Sequence, residues 1–240
     1  MTTAPLISIA QRLRDELATI GRGGAVRHVY NPLVYAWAPH RAYLGRFGRA
    51  EREVLIVGMN AGYFGMAQTG VPFGDVVMVR DWLRIEGRVL RPNDEHPKRP
   101  IDGFVCRRRE VSGQRLWGWA RDAFGTPERF FARYFVVNYC PLCFLGETGA
   151  NLALDKLPAA SRERLEHACD RALQDAAIAL NVRCAVGLGH FAARRVAAVL
   201  GNQVVCGGAP HPSPANASIG PHWAREMKRA LAAMGIEARG

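Results

Sequence analysis

Apolar residues recur at helical spacing in two stretches of the chain. Ile9, Leu13, Leu17 and Ile20 fall on one face of residues 8–20, and Leu165, Cys169, Ala172, Ala176 and Leu180 form a stripe over residues 161–180. Both patterns predict amphipathic helices that bury one side and solvate the other. Between them lie short unbroken apolar runs, Val54–Val57, Tyr134–Val137, Cys184–Leu188 and Val204–Cys206. Runs of that kind read as strands covered on both faces, and the helical or long segments between them predict a parallel α/β sheet. Residues 76–133 carry Pro, Gly and the triple Arg107-Arg108-Arg109 with little strand signal, and are expected to form a helix-and-loop insertion.

The carboxyl ends of strands are where open α/β sheets place their sites. Asn60 and Asn138 fall just past two predicted strand ends, and His211 follows the last strand after Gly207-Gly208-Ala209-Pro210. Of the carboxylates only Asp75 stands near them in the sequence, and Gly-x-Ser-x-Gly is absent, so an activated serine is not in view. An Asn is neither nucleophile nor general base; it can hold a water in one orientation or read a base edge with one acceptor and two donors. The glycines around Asn60 suit a close approach to an anion, but the Gly-x-x-x-x-Gly-Lys-Ser/Thr loop is missing, and Gly187-x-Gly189 lacks the rest of a dinucleotide fingerprint. His211 lies in His-Pro-Ser-Pro, where two prolines restrain the backbone and limit the ring's freedom.

Composition narrows the partner. At 240 residues and 49% hydrophobic content the chain can bury a full core and suits a single domain over 1–240. No apolar run reaches the ~20 residues of a membrane span and no leader precedes the first helix, so a soluble intracellular protein is expected. The six cysteines are scattered and expected to be reduced; Cys140-x-x-Cys143 has no second ligand pair and reads as small filler beside a strand, with no metal site. A net charge of +11 favours a polyanion. The excess is almost all Arg, with Lys only at 98, 156 and 228, a skew that a GC-rich genome also produces, so charge alone leaves nucleic-acid binding open.

Two motifs close the question. GMNAGYFGMAQTGVPFGD (58–75) and HPSPANASIGPHW (211–223) resemble the active-site motifs of the single-strand-selective monofunctional uracil-DNA glycosylase family, within the uracil-DNA glycosylase superfamily. Residues 30–32, 35–41, 95–100, 110–113 and 137–142 support the same resemblance, which runs from about residue 27 to about 235. It implies a three-layer α/β/α fold around a short central parallel four-stranded sheet, and a monofunctional enzyme that flips uracil out of DNA and hydrolyses its glycosidic bond. Catalysis is assigned by that resemblance to Asn60, as holder of the attacking water, and His211, as stabiliser of the departing uracil anion. Met59, Gly62, Phe73 and Asn138 are expected to bind the base, Phe73 by stacking and Asn138 by reading the pyrimidine edge. Ser213, Pro214, Asn216, His222 and Lys98 are expected to contact DNA. No cofactor is implied. The partner is DNA, single-stranded and also double-stranded, met by a monomer in a bacterial cytoplasm or a eukaryotic nucleus. The alternative is a non-catalytic binder of uracil-containing or single-stranded nucleic acid, which would need neither Asn60 nor His211.

The chain departs from the family pattern at Ala61 and Tyr63, where prolines are usual, and at Ala215 and Pro221, where basic residues are usual. If Gly62 faces carbon 5 of the base, 5-hydroxymethyluracil is accepted; if the loop shifts by one residue, Tyr63 fills that room. The open arrangement is expected. With Ala215 and Pro221 in place of cations, entry into duplex DNA is expected to be weaker.

Overall fold

The computed structural model describes residues 5–49, 51–215 and 220–237. Helix α1 (Pro5–Glu16) is followed by a 3-10 turn at Leu17–Thr19, so the first amphipathic stretch begins three residues earlier than its spacing predicts, and Leu6, Ile7 and Ala10 join Leu17 and Ile20 in the core. Then come β1 (His28–Tyr30), α2 (Pro32–Tyr35), α3 (Trp37–Phe47), β2 (Val54–Asn60) and α4 (Met66–Thr69). The 76–133 stretch contains no strand: a π-helical turn at Met78–Trp82 and a 3-10 turn at Gly103–Val105 lead to α5 (Val111–Phe124) and α6 (Pro127–Phe131). The remainder is β3 (Tyr134–Cys140), β4 (Cys143–Leu145), β5 (Asn151–Leu152), α7 (Ala159–Ala179), β6 (Cys184–Leu188), α8 (His190–Leu200), β7 (Val205–Ala209) and α9 (Trp223–Ala233). Among the described residues no helix is long and apolar enough to cross a membrane.

The four predicted strands form one sheet in the order β3-β2-β6-β7, with every neighbouring pair parallel. Val54 pairs with both Tyr134 and Cys184, so the central strand is covered edge to edge as well as on both faces. That explains its continuous apolar run, since no position in it meets water. Helix α8 packs on β2, β6 and β7 and touches α7, while α9 packs on β7 and is joined through α5 to α6.

The two glycines of β7 report the layers directly. A Cβ on Gly208 would lie 2.9 Å from Ala193 Cβ of α8, whereas one on Gly207 would lie 2.2 Å from Met234 Sδ just beyond α9. Successive strand residues face opposite sides of a sheet, so α8 and α9 lie on opposite faces and both press close to the backbone. The architecture is therefore three layers, α/β/α. It also explains why β7 extends to Ala209, past the Cys206 at which the apolar run stops: glycine there marks close packing rather than a turn.

Under α5, α6 and α9 the core is aromatic. Phe130 stacks on Tyr134 with centroids 5.2 Å apart, Phe47 stacks on Phe131 at 3.9 Å, and Trp119 meets Trp223 edge to face at 6.1 Å. A second, antiparallel sheet of order β1-β4-β5 is not foreseen by the apolar pattern, because its strands span three residues or fewer. Cys140 and Cys143 are buried where β3 passes into β4, as small filler.

Candidate active site

The carboxyl ends of β2 and β3 and the loop after β7 open onto one cavity of about 450 Å³. Met59, Asn60, Gly62, Phe73, Asn138, His211, Ser213 and Pro214 all line it. The two strands run further than their apolar runs, so Asn60 is the last residue of β2 and Asn138 lies inside β3 rather than past its end. Gly58 pairs with Asn138 across the sheet, which brings the two strand ends into step.

Gly58 is the hinge of this arrangement. A Cβ on it would stand 2.4 Å from Asn138 Oδ1 and 2.6 Å from Phe73 Cζ, so only a bare backbone lets both side chains occupy the same floor. Phe73 itself has φ of 52°, the left-handed region that a bulky side chain adopts at a cost of about 1–3 kcal/mol. What holds it there is a pair of bonds to its carbonyl, from Trp117 Nε1 at 2.9 Å and Asp75 N at 2.8 Å. The Asp75 carboxylate is fully buried and accepts from Arg109 Nε and Nη2, both at 2.8 Å, and from the Glu110 and Met78 backbone amides. Asp75 thus holds Phe73 through its backbone N–H and fixes its own place through the carboxylate, which does not line the cavity.

Asn60 Nδ2 donates to the Ala61 and Leu152 carbonyls at 3.3 and 3.4 Å. The second of these bonds ties the amide nitrogen to β5 of the small sheet. His211 Nδ1 accepts from Ser213 N at 3.1 Å, so the neutral ring carries its proton on Nε2. Burial lowers the His211 pKa from its ordinary value, which favours that neutral form. Gly189, at φ of 85°, leaves room for the ring, since a Cβ there would lie 3.2 Å from His211 Cβ. Two elements pin the loop: Arg115 Nη1 of α5 donates to the Pro212 and Ser213 carbonyls at 2.9 and 2.8 Å, and Trp223 Nε1 donates to the Pro210 carbonyl at 2.7 Å.

Tyr63 lies beside Gly62 but its hydroxyl is engaged elsewhere, donating to the Pro100 carbonyl at 2.6 Å, while its backbone N–H donates to Asn151 Oδ1. Lys98 and His222 are exposed and do not line the cavity. Asn216 lies outside the described residues. The basic rim is built instead from Arg99, Arg108 and Arg109, with the Arg108 guanidinium 4.5 Å from the Phe64 ring centroid. The arginine triple at 107–109 carried that signal, but nothing in the chain order tied it to Asn60. Glu110 also lines the cavity and was visible only as part of a matching stretch. No group of three or more His, Cys, Asp or Glu suited to a metal ion occurs among the described residues.

In a three-layer α/β/α fold the parallel strand ends thus gather Asn60, Phe73, Asn138 and a neutral His211 into one cavity with a basic rim. A profile of the Uracil DNA glycosylase superfamily matches residues 46–234, and the chain belongs to that superfamily. Within it the chain belongs to the single-strand selective monofunctional branch. It is 47% identical over 228 residues to the single-strand selective monofunctional uracil DNA glycosylase of Mus musculus, covering 94% of this chain and 82% of that protein. The Bos taurus protein of the same name is 46% identical over 228 residues, with 94% and 84% covered. The crystal structure of wild-type Pedobacter heparinus SMUG2 superposes with a TM-score of 0.64 at 17% identity, covering 95% of this chain and 98% of that one, and so shares the fold.

Proposed function

We propose that the protein is a monofunctional uracil-DNA glycosylase that removes uracil, and 5-hydroxymethyluracil with it, from DNA to leave an abasic site. The observation that carries this reading is the convergence of Asn60, Phe73, Asn138 and His211 on one cavity from four separate parts of the chain. The base is flipped because its glycosidic carbon is out of reach inside a stack. Phe73 lies against the flipped ring, and the Asn138 amide donates to O4 and accepts from N3–H, a pattern that cytosine reverses. As the C1′–N1 bond lengthens, charge grows on the uracil, and the His211 Nε2–H donates to O2 where that charge collects. Asn60, its amide nitrogen tied to two carbonyls, presents its oxygen to the water that captures the sugar cation. An amide takes no proton, which suits a late attack on an already cationic carbon. Among the described residues no lysine lines the cavity, in keeping with hydrolysis without a Schiff base.

Gly62 leaves the 5-position open, and the bond from the Tyr63 hydroxyl to Pro100 favours that arrangement over one in which Tyr63 fills it. Single-stranded DNA is the first substrate and duplex DNA the second, with the protein acting as a monomer. Incubation with a single-stranded oligonucleotide carrying one uracil should yield alkali-labile abasic sites. Asn60→Ala and His211→Ala should each lose at least about 100-fold in rate while retaining DNA binding. Binding without any cleavage by the unmodified protein would instead identify a non-catalytic reader.

A further inference from the structure

One wall of the cavity is a side chain to which the reaction above gives no part. Glu110 caps the N-terminus of α5, one carboxyl oxygen, Oε2, accepting the Gly113 N–H, while its own backbone N–H donates to Asp75 Oδ2 at 3.0 Å. Held at both ends, the side chain lies across the Gly62–Gly65 turn. Its other oxygen, Oε1, is 3.5 Å from the point where a side chain on Gly62 would begin, and its Cγ is 3.0 Å from the same point on Gly65. The room that Gly62 leaves open is therefore bounded by a carboxyl group rather than by an apolar wall.

The chemistry of that group suits a hydroxyl. Burial pushes the Glu110 carboxyl up to about 7, against the pull of the Gly113 N–H and with the Asp75 charge adding to the rise. Acid and carboxylate thus both occur near neutral pH; the acid donates to a hydroxyl oxygen and the carboxylate accepts its proton. A methyl group can do neither, and against Oε1 it would leave a polar atom without a hydrogen-bond partner.

We propose that Glu110 is a specificity-determining residue that reads the 5-substituent of the flipped pyrimidine, taking a hydroxymethyl group by hydrogen bond and rejecting the methyl of thymine. The proposal rests on the base orientation given above, in which carbon 5 faces Gly62. It is tested with single-stranded oligonucleotides that differ only in carrying uracil, 5-hydroxymethyluracil or thymine, and with two variants. Glu110→Gln keeps a donor, an acceptor and the helix cap; Glu110→Met keeps the length and removes all three. The ratio of 5-hydroxymethyluracil to uracil excision should stay within about threefold of the unmodified value in E110Q and fall at least about tenfold in E110M, with the thymine-to-uracil ratio rising. Thermal melting identifies a variant that has not folded, and if E110M is one, Glu110→Asp, which withdraws the carboxyl from Gly62, should lower the same ratio. Unmodified ratios in E110M, or in E110D where E110M does not fold, overturn the proposal, as does an unmodified protein that excises uracil but not 5-hydroxymethyluracil. Failure to release uracil at all strikes instead at the catalytic reading. The comparison then moves to binding of oligonucleotides carrying the slowly hydrolysed 2′-fluoroarabino forms of the three bases, where equal affinities for the hydroxymethyl and methyl forms would overturn the Glu110 proposal.

Discussion

At the scale of single residues, the site depends as much on missing side chains as on present ones. Asn138 and Phe73 share the space over Gly58, Gly62 adds no side chain to the cavity it lines, and Gly189 gives room to His211. Gly58→Ala should therefore disable the enzyme out of proportion to its effect on folding. The added methyl meets Asn138 Oδ1 and the Phe73 ring at under 3 Å, so stability should fall by about 1–3 kcal/mol, as overpacking does elsewhere. The excision rate on uracil should drop by about 100-fold or more, because Phe73 and Asn138, the proposed floor and edge-reader, are displaced together. Chemical denaturation and single-turnover rates measured on the same preparation distinguish the two effects; a proportionate loss of both would show that Gly58 serves packing alone. Phe73 carries the complementary lesson: its left-handed backbone is a local cost, sustained by bonds to its carbonyl from Trp117 Nε1 and the Asp75 N–H.

At the scale of elements, α5 serves the site at three points although none of its residues was assigned a role from the sequence. Its N-terminal cap is Glu110, Trp117 holds the Phe73 carbonyl, and Arg115 donates to two carbonyls of the His211 loop. A helix placed in a stretch with little strand signal thus fixes both walls of a cavity built on strand ends. Arg115→Ala should loosen the loop without touching the base, lowering the single-turnover rate by about tenfold to 100-fold while DNA affinity changes little. Arg115→Lys should recover part of the loss, since an ammonium reaches one carbonyl more readily than two in a fixed fork. Unchanged rates for R115A would mean that the two prolines and Trp223 suffice to hold His211.

At the scale of the whole molecule, a charge of +11 is distributed so that part of it stands where a strand must pass. Arg99, Arg108 and Arg109 edge the cavity; Arg109 is paired with Asp75 and Arg99 Nε donates to the Gly149 carbonyl at 2.7 Å, so Arg108 and the outer N–H groups of Arg99 are the ones expected to meet phosphates. Binding of a single-stranded oligonucleotide should weaken as salt rises, and the Arg99→Ala/Arg108→Ala double variant should reduce the log–log slope by about 1.4, or about 0.7 for each lost phosphate contact. An unaltered slope would place the DNA path elsewhere on the basic surface. The fold class was legible along the chain because strands buried on both faces need unbroken apolar runs, and Val54–Val57, Tyr134–Val137 and Cys184–Leu188 have them. Asn60, Phe73, Asn138 and His211 were legible as candidates because the motifs single them out, and the structure brings all four to one cavity. Neither signal reaches across the chain. The approach of Arg108 to Phe64, the engagement of the Tyr63 hydroxyl with Pro100 and the Glu110 carboxyl facing Gly62 join residues whose neighbours in sequence say nothing of one another. The sequence by itself determined the layers and the candidate site residues, through local periodicity and side-chain chemistry. Only the tertiary structure decided which side chain closes the cavity and which arginines edge it, because those follow from distances set when separate elements pack.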